Sequence, residues 1–164
     1  MKRDHSKLRT LLFQIRDEPS IRREEHESFV RYSGLSHEQI DVLNVFDRPK
    51  FTPAVIEGYD ALFIGGTSEA SVLDPQSYPF VIDGKALIKF CIAQNIPVFA
   101  SCFGFQMAVE ALGGEVIKDD SDYEMGTIAI DLTEAASLDP LFKDVPSGFL
   151  AVSVHQEKTL TVPP

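Results

Sequence analysis

The chain has 164 residues, enough for one domain with a real core, and its 44% hydrophobic and 24% charged residues are an ordinary globular balance. A formal charge of −10 and a pI of about 4.8 argue against a nucleic-acid or anionic-membrane surface, where phosphate neutralisation needs clustered Lys and Arg. Two cysteines, Cys91 and Cys102, cannot build a disulfide framework; no CxxC or Cys/His cluster suggests zinc, and no apolar run is long enough to cross a bilayer.

The chain starts on a basic segment, Met1 to Lys7, followed by Leu8 to Ile15, which Arg9, Thr10 and Gln14 interrupt. That is not a signal-peptide core, and a cytoplasmic protein is expected. Leu11 to Ile15 reads as a first strand. Ser20 is placed to cap a helix over Ile21 to Ser33, with Ile21, Phe29, Val30 and Tyr32 inward and Gly34 as its stop. The mixed-sign run Arg22 to Glu27 reads as a solvated face. Val42 to Phe46 is a second strand, and Ala61 to Ile64 a third, ending at Gly65-Gly66. Asp83 is placed to cap a helix over Gly84 to Gln94 that buries Leu87, Ile88, Cys91 and Ile92. A strand over Ile96 to Ala100 runs straight into a helix over Phe103 to Leu112. Thr127 to Leu132 and Phe149 to Val154 are further strands, with a turn at Asp139-Pro140 between them. Strands alternating with helices predict a three-layer α/β sandwich on a mainly parallel sheet, organised as a single domain over residues 1–164.

The segment Val98-Phe99-Ala100-Ser101-Cys102-Phe103-Gly104-Phe105-Gln106 carries the chemistry. A strand ends at a cysteine and a helix begins on the next residue, the arrangement that projects a nucleophile from the carboxyl edge of a sheet. The helix N-terminus favours thiolate and offers free N–H groups to an oxyanion. Ala100 and Gly104 are small, which allows close packing at the turn. Gln106, four residues on, returns to the side of the thiol. Gly65-Gly66 ends the preceding strand at the same edge, where a backbone N–H is free to approach a substrate. Cys91, by contrast, reads as a packing residue.

These segments resemble the class I (triad-type) glutamine amidotransferases and are closest to the free-standing GMP-synthase-like members. Ala100 to Gln106 is similar to their Gly-x-Cys-x-Gly-x-Gln nucleophile motif. Phe63 to Ser68 is similar to the Gly-Gly-Pro oxyanion loop, with Thr67 in place of proline. Ala111 to Val116 resembles the Leu-Gly-Gly that follows the nucleophile helix. Ser153-Val154-His155-Gln156-Glu157 resembles the Ser-His-Gly-Asp segment, with Gln-Glu in place of Gly-Asp. The resemblance implies a flavodoxin-like α/β fold and hydrolysis of the glutamine side-chain amide. It implies Cys102 as nucleophile, the N–H groups of Gly66 and Phe103 as oxyanion hole, and substrate contacts at Gly65, Gln106, His155, Gln156 and Glu157. It implies no cofactor and no metal. The expected partners are L-glutamine or a γ-glutamyl compound and a separate synthetase chain that accepts ammonia.

The family's base lies on a later strand carrying His-Pro-Glu, and no such motif follows in these 164 residues. Three readings stay open: a piece of a longer protein, a relative without the last strands, or His155 as the base. The first is adopted, with the last strands of the fold missing and this form alone expected to be nearly inactive. His155 reads equally as a structural histidine or a pocket residue. Competing functions are a γ-glutamyl hydrolase of γ-glutamyl amines or peptides, a DJ-1/PfpI-like cysteine protein, and a non-catalytic regulatory relative.

Overall fold

The first strand, β1 (Thr10–Gln14), is buried along its whole length, as a strand covered on both faces must be. In the computed structural model, which describes residues 5–121 and 124–163, β1 is flanked by β2 (Ile40–Asn44) and β3 (Ala61–Ile64). Beyond β3 comes β4 (Val98–Ala100), which gives the order β2-β1-β3-β4. All three pairings are parallel, with Phe13 opposite Leu43 and Ile64, and Ile64 opposite Ala100. Parallel register brings the carboxyl ends of β1, β3 and β4 to one edge. The first four residues and Pro164 lie outside the described residues, as do 122 and 123.

Successive strand residues point to opposite faces, and each face has its own helical cover. On one side Phe63 stacks against Phe29 of α1 (Pro19–Ser33), with ring centroids 5.2 Å apart. On the other, Phe13 and Ile64 meet α2 (Phe80–Ala93) and α3 (Phe103–Ala111). The result is the expected three-layer α/β sandwich on a parallel sheet. Its core holds Phe13, Leu62, Ile64, Leu87, Ile88 and Met107, each under 2% exposed. Each such aliphatic side chain contributes roughly 1.5–3 kcal/mol by leaving water.

Element boundaries differ from the sequence reading for physical reasons. Both β1 and β2 begin earlier than their apolar runs, because the ladder starts with Thr10 opposite Ile40 and Ala61, and Thr10 is buried although polar. The α1 helix starts at Pro19, whose fixed φ suits a first helical position, and the Ser20 hydroxyl donates to Glu18 Oε1 instead of capping. Gly34 does end α1, at φ 72 with its N–H donating to the Val30 carbonyl. Ile21 and Tyr32 are exposed, so α1 has a narrower inward stripe than its apolar residues suggest. Likewise α2 starts at Phe80 behind Pro79. Asp83 accepts the Phe51 N–H at 3.4 Å rather than capping, and Ile92 is exposed while Leu87, Ile88 and Cys91 are buried.

The chain divides into two compact units, Met1–Ile117 with Thr159–Pro164, and Lys118–Lys158. In the second, β6 (Glu124–Ile130) pairs antiparallel with β7 (Phe149–His155), with Gly126 opposite Ser153. The Asp139 carboxylate and carbonyl accept the N–H groups of Leu141 and Phe142, which makes the expected turn. Two short strands escaped the sequence reading, β5 (Glu115–Lys118) and β8 (Glu157–Thr161), which pair with each other. Glu-Lys-Thr-Leu-Thr is too polar to announce a strand.

Candidate functional site

Cys102 has φ 53 and ψ −114, a positive φ that only one other described non-glycine residue, Asn95, shares. An L-residue adopts that conformation only where its surroundings impose it, and here the bonds that do so are visible. The Ser101 N–H donates to the Ile64 carbonyl at 3.0 Å, which ties the end of β4 to β3. The Gly104 N–H is shared between the carbonyls of Ser101 (2.9 Å) and Gly65 (3.2 Å), and the Gln106 N–H reaches the Cys102 carbonyl at 3.1 Å. Gly104 is required by contact: a Cβ there would lie 2.7 Å from Ile64 Cγ2 and 3.0 Å from the Ile64 carbonyl oxygen. The chain therefore turns from strand to helix within one residue and leaves the Cys102 thiol exposed.

Gly66 faces that thiol. A Cβ at Gly66 would lie 3.2 Å from Cys102 Cβ, 3.5 Å from Sγ and 3.3 Å from Arg16 Nη2. The glycine keeps open a gap bounded by thiol, guanidinium and backbone. The Phe103 N–H, first of its helix, has no hydrogen-bond partner among the described residues, while the Phe103 side chain is buried near Phe80. Gly65, Gly66 and Cys102 line a cavity of about 730 Å³ whose opposite wall is α1, with Phe29, Phe63 and Phe99 as its apolar floor.

Two residues of this cavity escaped the sequence reading. Arg16 follows β1 at the same carboxyl edge, and its Nε donates to Glu25 Oε1 at 3.0 Å. Glu25 falls within the run that reads as a solvated face, yet its side chain is only 9% exposed. Its Oε2 is buried without a hydrogen-bond partner among the described residues. Burial pushes this carboxyl above its ordinary range; Arg16, and more weakly Gln14 and the Gly66 N–H, pull the other way. Gly65 is what admits Glu25, since a Cβ there would lie within contact distance of its carboxylate, closest to Oε1. The remainder of the run is also only partly solvated, because Arg22 donates to the Arg16 carbonyl and to Asp47. The available signal was position: Arg16 follows β1 as Gly65 follows β3 and Cys102 follows β4.

Gln106 does not line the cavity; it is buried on α3, one turn beyond Cys102. His155, Gln156 and Glu157 belong to the second unit, at the passage from β7 to β8. There the Ser153 hydroxyl and His155 Nδ1 are 2.9 Å apart, and the Gln156 carbonyl accepts the Asp119 N–H at 3.1 Å. Lys158, 2.7 Å from Asp119, joins Ser121 in holding the Asp119 carboxyl down at about 2. Cys91 is fully buried, and burial pushes its thiol up to about 11.

Residues 35–162 match the family described as glutamine amidotransferase class-I. A glutamine-hydrolyzing GMP synthase subunit of Methanococcus maripaludis is 38% identical over 104 residues, 59% of this chain and 53% of that protein. Gamma-glutamyl-L-1-hydroxyisopropylamide hydrolase from a Pseudomonas species is 29% identical over 109 residues, 64% of this chain and 36% of that protein. The chain thus spans about half, or less, of the length of these curated relatives. A glutamine amidotransferase structure from Thermotoga maritima superposes with a TM-score of 0.74 at 19% identity, covering 95% of this chain and 64% of that one. At that identity the likeness concerns the fold.

Proposed function

The chain belongs to the class I glutamine amidotransferase family, and on that premise we propose that it cleaves the side-chain amide of glutamine through a thioester on Cys102. The turn at Cys102 carries the reading: an exposed thiol at φ 53, on a helix N-terminus, across a glycine-made gap from Gly66. The thiolate attacks the amide carbon and a C–S bond forms. The carbonyl oxygen takes the negative charge and meets the N–H of Phe103, with the Gly66 N–H, shared with the Glu25 carboxylate, as the second donor. The C–N bond then breaks, and the nitrogen takes a proton from water and leaves as ammonia. Water adds to the thioester, the C–S bond breaks, and glutamate departs with the thiol restored. Gly65, which lines the cavity, is the first unit's substrate contact in this reading; Gln106, buried outside the cavity lining, rests on the resemblance of its motif. The second unit's candidates, His155, Gln156 and Glu157, rest on the resemblance of their segment.

No histidine lines the cavity among the described residues. A cysteine nucleophile without a positioned base loses several orders of magnitude in rate. The ammonia acceptor in this reading is another chain, a view supported by the M. maripaludis relative being one subunit of its synthase. The test is glutamate release from glutamine, with Cys102→Ala expected to lower it to background. Undiminished release in that variant would falsify the assignment.

A second reading has a specific observation behind it. Ammonia needs no apolar space to leave, yet the cavity beside Cys102 carries Phe29, Phe63 and Phe99. A γ-glutamyl amine with an apolar substituent would use that floor, in keeping with the Pseudomonas relative. Comparing glutamate release from glutamine and from γ-glutamyl alkylamines decides between the two.

A further inference from the structure

Glu25 reaches from α1 to the Gly65-Gly66 turn and is held at its tip. Its Oε1 accepts from Arg16 Nε at 3.0 Å. Arg16 is in turn locked at the end of β1, where its carbonyl accepts from Arg22 Nε and Asn44 Nδ2, both at 2.8 Å. The carboxyl packs so closely on Gly65 that a Cβ there would lie 2.7 Å from Cδ and 2.9 Å from Oε2. The Gly65 backbone is pinned elsewhere as well: its N–H donates to the Phe13 carbonyl and its carbonyl accepts the Gly104 N–H, both at 3.2 Å. No described peptide bond is cis, and in a trans peptide the C=O and N–H point in opposite directions. With the Gly65 carbonyl turned to α3, the Gly66 N–H is turned away from it. It lies on the Glu25 side, where it is one of the groups that favour the carboxylate. The same residue stands beside the nucleophile, since a Cβ on Gly66 would lie 3.5 Å from Cys102 Sγ.

A carboxyl only 9% exposed, with Oε2 lacking a hydrogen-bond partner among the described residues, is costly to place. A strut needed for folding alone would be as stable built from apolar side chains. We infer that Glu25 is a positioning residue: it braces Gly65 against the Gly104 bond and so sets the direction of the Gly66 N–H toward the oxygen of an acyl group on Cys102. Its service to a glutamine amide rests on the amide-hydrolysis reading; its support of the Gly66 donor does not. Gly65 fits the same account. It is not among the positive-φ glycines, so its missing side chain answers to Glu25 and not to backbone conformation. The role needs reach more than charge, because both contacts lie at the tip of the side chain. A carboxylate one methylene shorter withdraws from Gly65. The isosteric amide fills the same volume and keeps an oxygen for Arg16 Nε.

The probe is propanal, which takes up a thiol reversibly: the C–S bond forms, the thiol proton ends on the former carbonyl oxygen, and that oxygen occupies the donor site. Protection of Cys102 from iodoacetamide, read by peptide mass, gives the propanal affinity. The iodoacetamide rate without propanal reports the thiol alone. In Glu25→Asp the affinity is expected to fall about fivefold, with the iodoacetamide rate nearly unchanged. In Glu25→Gln both stay within about twofold of the parent chain. Gly65→Ala, whose methyl displaces the carboxyl, should lower the affinity about tenfold. Adding Glu25→Ala to it should restore most of the loss, because the methyl then fills the vacated space. An unchanged affinity in Glu25→Asp overturns the inference. So does an equal fall in Glu25→Gln, which makes the effect one of charge, and so does a parallel fall in the iodoacetamide rate, which marks a purely structural role. If Glu25→Asp does not fold, the Gly65→Ala pair decides, by whether the second substitution restores affinity. A parent chain that propanal fails to protect overturns the inference outright. The expected order of affinities in a chain that releases no glutamate from glutamine keeps Glu25 in its role and sinks the amide-hydrolysis reading instead.

Discussion

The two cysteines of the chain are treated in opposite ways, and the two sides of the parallel sheet explain why. Cys91 lies on α2, packed with Leu87 and Ile88 and fully buried. Cys102 stands at the carboxyl edge, exposed, over the cavity that α1 walls. The α2–α3 side is fitted to contact: Gly84 sits so close to Met107 that a Cβ would lie 2.6 Å from its Sδ, and Gly104 meets Ile64 in the same way. The α1 side has no fully buried helix residue, and Phe99 of β4 is 55% exposed beneath it. Close packing on one side sets the strand-to-helix turn, and openness on the other leaves the thiol reachable. A site of this kind needs both, since rigidity places the nucleophile and open volume admits the substrate.

The largest effect should come from the thiols themselves. Exposure and thiolate content set alkylation rate, and Cys91 is pushed up to about 11 by burial. Near pH 8 in the native protein, iodoacetamide should modify Cys102 about a hundredfold or more faster than Cys91. In denaturant the two rates should converge. Peptide mass mapping over time reads both, and comparable native rates would mean that the α2 side opens readily and is not the closed face described.

Next in size is Gly104→Ala, which tests whether packing on the closed side fixes the turn. The new methyl meets Ile64 Cγ2 at 2.7 Å and a backbone oxygen at 3.0 Å, so helix and strand must part. Overpacking of this kind costs about 1–3 kcal/mol, against at most about 1 kcal/mol gained from replacing a helical glycine. Urea unfolding should show a net loss, and Cys102 alkylation should change with it. At Gly84 the obstacle is the flexible end of Met107, so Gly84→Ala should cost less. Equal costs at the two positions would show that the elbow is no more constrained than the rest of the interface.

The closed side was legible in the sequence and much of the open side was not. Apolar runs mark burial, so β3, α3 and the packing role of Cys91 followed directly, as did the glycine stop at Gly34. The nucleophile turn was legible because a strand, a cysteine, a small residue and a helix have to occur in that order. Arg16 and Glu25 were not, because charge runs are read as solvated faces and nothing local reveals that Gly65 leaves room for a carboxyl. The polar strand β8 was missed for the same reason: Glu157–Thr161 is paired by the chain's return to β5, not by its composition. Long-range fit, rather than local pattern, decides in each case.

The smallest effect separates burial from charge pairing at Glu25. Burial raises its folded-state pKa above the ordinary value of 4.5, so the folded protein binds the proton more tightly than the unfolded chain does. By linkage, its stabilising contribution is full below the unfolded pKa and is lost as pH rises from about 4.5 through the folded value. Arg16, 3.0 Å away, opposes this by favouring the carboxylate. The difference in unfolding free energy between the parent chain and Glu25→Gln should therefore fall as pH is raised from 4.5 toward neutrality, with a slope bounded by ~1.4 kcal/mol per pH unit. A difference that grows with pH would show Arg16 winning, with Glu25 held as a carboxylate and the guanidinium largely neutralised. The open side would then present a paired ion rather than a free cation to the gap beside Cys102.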